Sequence, residues 1–203
     1  MRERNETAEK MLSIGALVTD IDGCVTDGTY GYGPDGDTLK FFNDRDNVGV
    51  RLAQAAGWPV VVITARTSPM VARWASELEV TRVHQGALDK RATLQAVAAE
   101  LGLDLQQVAY LGDDLLDLPA MDLVGLCASP HDAALLVRQQ VDLVLDLNGG
   151  RGALRELVER ILDTQGKLTT TIHAYLSSRG VTEPGGRLPA ACDAASAKIG
   201  FRQ

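Results

Sequence analysis

Cysteine is scarce in this chain of 203 residues: Cys24, Cys127 and Cys192 are the only three. They lie far apart and form no CxxC pair, which excludes a disulfide framework and a thiolate zinc cluster and suits a reducing compartment. Aromatic residues make up only 4%, so aliphatic side chains must fill the core. Basic charge is in deficit, with 20 Lys and Arg against 27 Asp and Glu and a net charge of −7. Broad binding to nucleic acid or to an anionic membrane needs the opposite balance, so neither partner is expected. A small anionic substrate is compatible, because one cation and a few basic side chains can dominate a single pocket. Long apolar runs are missing as well. No stretch approaches the roughly 20 residues that span a bilayer. Met1 to Lys10 is polar where a secretory signal would be apolar, so the expectation is a soluble, cytoplasmic protein.

What remains is ordinary for a globular protein: 45% hydrophobic and 23% charged residues in a length that fits one domain. Short apolar runs alternate with longer amphipathic ones. Strands are expected over Ile14–Thr19, Trp58–Ile63, Arg82–His84, Val108–Leu111, Gly125–Ala128 and Leu143–Leu145. Helices are expected over Asn47–Ala56, Ser68–Leu78, Leu88–Leu101, Leu115–Met121, His131–Val137 and Ala153–Leu162. Fully apolar strands alternating with helices predict a doubly wound, Rossmann-like parallel α/β sheet with helices on both faces. Between residues 26 and 46, β-formers flank Gly33-Pro34-Asp35-Gly36-Asp37. That is turn chemistry, so a β-hairpin is expected as an insertion after the first strand. Residues 1–167 are read as the domain and residues 168–203, which show no clear periodicity, as a loosely ordered tail.

The polar clusters fall where an open α/β sheet binds ligands, at the carboxyl ends of its strands. Asp20 and Asp22 follow the first strand, Thr64 the second, and Asp113, Asp114 and Asp117 the third long one, while Lys90 opens a helix. Singly these signals are weak: a DxD turn is more often a solvated loop, and a lone Thr or Lys explains itself as a cap or a surface residue. Their conjunction, each after its own strand, suits phosphoryl transfer. Asp20 is the candidate nucleophile, splitting one hard step into two easier ones through an aspartyl-phosphate. Asp22 is the candidate general acid and base. Thr64 and Lys90 would hold phosphoryl oxygens, with Lys90 offsetting charge. Attack of an anion on an anion calls for a hard dication, and Mg2+ would take Asp20, Asp113 and the backbone carbonyl of Asp22.

With these residues in place the chain resembles the haloacid dehalogenase superfamily of phosphatases. The resemblance is carried by Asp20-Ile21-Asp22-Gly23, Thr64, Lys90 and Gly112-Asp113-Asp114 through Asp117. Within it the chain is similar to the capless branch that contains the KDO 8-phosphate phosphatases, from about Leu17 to Leu168, with Phe42 to Asp46, His84-Gln85-Gly86 and Gly149 to Glu156 as further matches. That resemblance implies a small phosphorylated sugar-acid substrate, no cap domain, and a step of lipopolysaccharide synthesis. It further implies a homotetramer whose hairpins associate and whose active sites are completed by neighbouring subunits. A nine-carbon sialic-type 9-phosphate substrate and a non-catalytic oligomerisation module of the same fold are the alternatives; the retained aspartates, Thr64 and Lys90 weigh against the second. Arg66, Ser68, Asp46, Asp114 and Asp117 are further candidates for substrate contact or for support of the site. Three positions depart from the pattern. Ala65 replaces a common glycine, Asn47 replaces another, and Trp74 stands where an arginine is usual. Arg73 is adjacent, but one residue turns a side chain by about 100° around a helix.

Overall fold

A computed structural model describes residues 2–34 and 36–181. The strands are β1 (Ala16–Thr19), β2 (Tyr30–Gly33), β3 (Gly36–Lys40), β4 (Val60–Ile63), β5 (Arg82–His84), β6 (Val108–Leu111), β7 (Leu126–Ser129) and β8 (Leu143–Val144). The helices are α1 (Arg2–Ser13), α2 (Asp44–Ala55), α3 (Pro69–Glu77), α4 (Lys90–Leu101), α5 (Leu118–Met121), α6 (Leu135–Gln140), α7 (Ala153–Thr164) and α8 (Leu168–Ser178). Six strands form one parallel sheet in the order β5-β4-β1-β6-β7-β8. β2 and β3 form the expected antiparallel hairpin, with a register shift between Gly31 and Tyr32.

Strand pleating divides the core. Leu17, Val60, Val62, Ala109 and Leu111 face one layer with residues of α2, α3, α7 and α8. Ala16, Val18, Val61, Ile63, Val108 and Tyr110 face the other with residues of α4, α5 and α6. Alternate residues of a strand point to opposite faces, so both faces must be apolar, and both are covered. The doubly wound α/β architecture is therefore as expected. Each fully buried Leu or Val contributes on the order of 1.5–3 kcal/mol relative to exposure, and Leu17, Val18, Val60 and Val61 have no exposed surface.

Several local expectations are corrected. The stretch from residue 168, read as loosely ordered, is helical in α8 through Ser178. Its inward stripe is Leu168, Thr171, Ile172 and Tyr175, a proper i, i+3, i+4, i+7 face in which a threonine blurs the apolar signal. Residues 182–203, which include Cys192, and Asp35 lie outside the described residues. The helix expected over His131–Val137 instead spans Leu135–Gln140. Upstream of it the His131 N–H donates to Leu147 O and Asp132 Oδ1 accepts from the Gly149 N–H, which ties the segment to the next loop. Leu115 to Asp117 form a turn ahead of the short α5. The polar start of the chain, for which no element was expected, forms α1; Gln165 Nε2 donates to the carbonyls of Met11 and Ile14 at its end.

β1 lies between β4 and β6, and the chain first winds outward to one side and then to the other. The carboxyl end of β1 is therefore the topological switch point, where open α/β sheets form their ligand crevice.

Candidate active site

Asp20 is the first residue past β1 and is held by its neighbours. Its N–H donates to Leu111 O at 3.0 Å, and the Ile21 N–H donates to its Oδ1 at 2.6 Å. After it the chain closes a tight turn in which the N–H groups of Cys24, Val25 and Thr26 all reach Ile21 O. Gly23 is required there. Its φ is +89°, and a Cβ would stand 2.0 Å from Asp113 Oδ2, so the turn exists only with the backbone pressed against that carboxylate. Behind it, a Cβ on Gly149 would meet Gly23 O at 1.8 Å, so the loop at 149–152 backs the turn after Asp20.

Lys90 opens α4, whose N-cap Asp89 accepts from Ala92 N–H. Its buried ammonium lies 2.7 Å from Asp20 Oδ2 and 2.6 Å from Asp117 Oδ1. Burial alone would lower its pKa, but the two carboxylates outweigh burial and raise it, so Lys90 is a fixed cation. Asp117 is saturated: Lys90 and the Tyr110 hydroxyl donate to Oδ1, and the N–H groups of Asp113 and Asp114 donate to Oδ2. It braces the lysine and the turn.

Oxygens of Asp20, Asp113 and Asp117 lie within 4.8 Å of one another. Three carboxylates against one ammonium leave excess negative charge. Burial, reinforced by Asp117 and Asp20, pushes Asp113 up to about 8, and burial with Asp117 raises Asp20 to about 6. A dication between Asp20 and Asp113 relieves that repulsion. Asp117 takes four donors, whereas Asp20 takes two and Asp113 takes the Cys24 thiol, so the last two keep more lone-pair capacity for an ion. The donors are oxygens, as magnesium prefers; the adjacent Cys24 thiol is pushed well up by burial and the nearby acids, so it offers no thiolate. The residues fit Mg2+.

Thr64 follows β4, the strand paired with β1; its N–H donates to His84 O and its carbonyl accepts from Ala87 N–H. Asp22 receives Lys40 and Thr26 Oγ1 on Oδ1, with Arg66 Nε 4.0 Å from Oδ2. Arg66 also stacks on Tyr30, its guanidinium 3.9 Å from the ring centre. Ser68 is the buried N-cap residue of α3, its N–H donating to Gln85 Oε1 at 2.6 Å. Asp114 is exposed and caps the Leu115 N–H.

Asp46 has a different task. It is buried, and its carboxylate accepts from Gly152, Leu154 and Arg155 at the start of α7. It bears on the site through the loop at 149–152. Sequence reasoning missed Lys40, because a lone lysine in a hairpin reads as surface, and missed Tyr30 for want of any pattern. Tyr110 was read only as a strand residue, although its hydroxyl reaches Asp117.

A parallel sheet carrying an aspartate cluster with a buried lysine at its switch point suits phosphoryl transfer. No protein-family model matches the chain. Curated relatives do. It is 35% identical over 172 residues to 3-deoxy-D-manno-octulosonate 8-phosphate phosphatase KdsC of Haemophilus influenzae, across 84% of this chain and 96% of that one. It is 38% identical over 159 residues to KdsC of Escherichia coli K12, across 78% and 85%. Among solved structures it is similar to the Moraxella catarrhalis phosphatase of the same name in complex with magnesium, phosphate and KDO, with a TM-score of 0.80, 34% identity, and coverage of 84% and 98%. A Legionella pneumophila chain assigned to subfamily III A of the HAD-superfamily hydrolases superposes with a TM-score of 0.83 at 38% identity, covering 87% and 97%. The chain belongs to the 3-deoxy-D-manno-octulosonate 8-phosphate (KDO 8-phosphate) phosphatase family of the haloacid dehalogenase superfamily.

Proposed function

We propose that this chain hydrolyses KDO 8-phosphate to KDO and inorganic phosphate, with Asp20 as nucleophile and Asp22 as acid and base. The observation that carries the reading is the buried Lys90 ammonium held between Asp20 and Asp117 beside Asp113. It fixes one oxygen of Asp20 and leaves cationic charge where a phosphoryl group must approach. Asp20 attacks phosphorus; Lys90 and the Thr64 hydroxyl hold equatorial oxygens. Asp22 gives its proton to the departing sugar oxygen and then takes one from water. Asp20, Asp113 and the Asp22 carbonyl would hold magnesium, which when bound polarises the phosphoryl group and offsets repulsion between anions. Arg66, partly exposed beside Asp22, is the residue assigned to a sugar-acid carboxylate in this reading.

The same reading makes the enzyme a cytoplasmic homotetramer. Tyr32 and Phe41 on the hairpin are 73% and 66% exposed, apolar surface that subunit association would cover, and the free thiols Cys24 and Cys127 suit a reducing compartment. Sedimentation at micromolar concentration checks the assembly, and a monomer overturns it.

The deciding assay is magnesium-dependent phosphate release over eight-carbon and nine-carbon sugar-acid phosphates and simple sugar phosphates. Preference for KDO 8-phosphate is expected. Equal rates on all would remove the substrate assignment and leave the phosphatase standing. Asp20→Asn is expected to abolish release with the fold intact; near-normal turnover would displace Asp20 as nucleophile.

A further inference from the structure

Asp22 is gripped from the hairpin. Lys40, the last residue of β3, pairs across the ladder with Tyr30, the first of β2. Its ammonium forms an ion pair with Asp22 Oδ1, and Thr26 Oγ1 donates to the same oxygen at 3.3 Å. The Lys40 side chain is 0% exposed, so it has no surface to offer a substrate. A fully buried lysine is rare unless paired, and here Asp22 is its partner. The other oxygen, Asp22 Oδ2, is covered from solvent and takes no hydrogen bond from any described residue. Arg66 Nε stands 4.0 Å from it, and the Tyr30 ring meets both cations, 3.9 Å from the Arg66 guanidinium and 5.4 Å from the Lys40 ammonium. One oxygen is hydrogen-bonded and the other is not.

We propose that Lys40 is a positioning residue for the leaving-group proton. By tying Oδ1 it leaves Oδ2 as the one atom of Asp22 that carries the proton, and it fixes where that atom sits. The inference rests on the assignment of Asp22 as the acid–base group. In the first step the bond from the Asp20 oxygen to phosphorus forms as the bond from phosphorus to the ester oxygen breaks. The proton on Oδ2 passes to the departing oxygen, which leaves as the alcohol. In the second, a water oxygen attacks phosphorus while one water proton returns to Oδ2. The Asp20–phosphorus bond then breaks, regenerating the carboxylate and releasing inorganic phosphate. Lys40 keeps its charge throughout and touches neither phosphate nor alcohol. A covered carboxylate oxygen that takes no hydrogen bond is costly, and unsatisfied groups of this kind are explained where chemistry uses them.

Leaving-group dependence separates this role from a merely structural one. A sugar alkoxide must be protonated as it departs, whereas p-nitrophenolate leaves without a proton. The experiment is single-turnover release of KDO from KDO 8-phosphate and of p-nitrophenol from p-nitrophenyl phosphate, for the native enzyme, Lys40→Met, Lys40→Arg and Asp22→Asn. Loss of a general acid slows a reaction about 10²–10⁴-fold. Lys40→Met is therefore expected to slow KDO release at least about tenfold while changing p-nitrophenol release less than about threefold, and Lys40→Arg to recover most of the loss. Equal loss on both substrates, or no loss on either, overturns the proposal. Should Lys40→Met fail to fold, Lys40→Gln is read against the same two outcomes. Asp22→Asn tests the underlying assignment independently. If it alone discriminates between the leaving groups, Asp22 is the acid and Lys40 is not its positioner. If it slows both equally, the acid–base assignment itself fails.

Discussion

The indole N–H of Trp74 donates to Asn47 Oδ1 at 2.8 Å, joining α3 to α2. The same indole stacks on Phe42, with ring centres 5.1 Å apart and planes 10° from parallel. Trp74 and Asn47 are two of the positions at which the chain departs from the pattern of the branch it resembles, and the contact makes them one unit. Trp74 is 6% exposed, so its N–H needs a protein partner once desolvated.

A double-mutant cycle tests that unit. Asn47→Ala leaves the indole donor unpaired and is expected to cost about 1–3 kcal/mol. Trp74→Phe keeps most of the ring but removes the donor. A coupling energy of about 0.5–1.5 kcal/mol by denaturant unfolding is expected for contacting residues that share a hydrogen bond. Strict additivity would mean that the two departures are independent.

Magnesium should stabilise the folded chain through Asp20 and Asp113. At a concentration one hundred times its dissociation constant, a ligand of the native state adds about 2.7 kcal/mol. Thermal unfolding with and without magnesium measures this directly. Asp113→Asn is expected to shrink the magnesium-dependent rise in Tm, and chelation is expected to abolish phosphate release by the native enzyme. A rise of equal size in Asp113→Asn would place the ion elsewhere.

Much of this site is legible in the sequence because strand ends are. Asp20, Thr64 and Asp113 each follow an apolar run that had to be a buried strand, and parallel topology then brings those ends to one edge. Lys90 is legible by its place at a helix start. What escapes is whatever depends on long-range contact. Lys40 owes its burial to Asp22, eighteen residues earlier in the chain, and no local signal marks a lysine for the interior. Asp46 sits among residues of a recognisable motif, yet its carboxylate caps a helix more than a hundred residues on. α8 was hidden by Thr171 in its apolar stripe, and α1 by its polar composition.

Asp46 carries a pH signature of its own. Burial pushes its carboxyl up from 3.8 to about 6, against the opposing pull of the N–H groups of Gly152, Arg155 and Leu154. The folded state thus holds this proton more tightly than the unfolded chain does. The stability it contributes is fully present below about 4 and is lost as pH rises through about 6. Asp46→Asn cannot titrate. Denaturant unfolding of both proteins from pH 4 to 7 should show the native protein losing stability relative to Asp46→Asn across that window, whatever the constant offset between them. A pH-independent difference would contradict this assignment.

On the proposed mechanism Lys90 would serve both stability and catalysis, and two substitutions separate the roles. Lys90→Met leaves Asp20 and Asp117 facing each other in the interior without their cation. Breaking a buried ion pair from one side costs about 3–5 kcal/mol, so a large fall in stability is expected together with loss of phosphate release. Adding Asp117→Asn removes one of the stranded charges while keeping an acceptor for the Tyr110 hydroxyl. The double variant should recover a substantial part of the stability and none of the activity, because the positive charge beside Asp20 is still missing. Denaturation and phosphate-release assays on the same preparations decide the matter. Recovery of turnover along with stability would mean that Lys90 serves the fold alone.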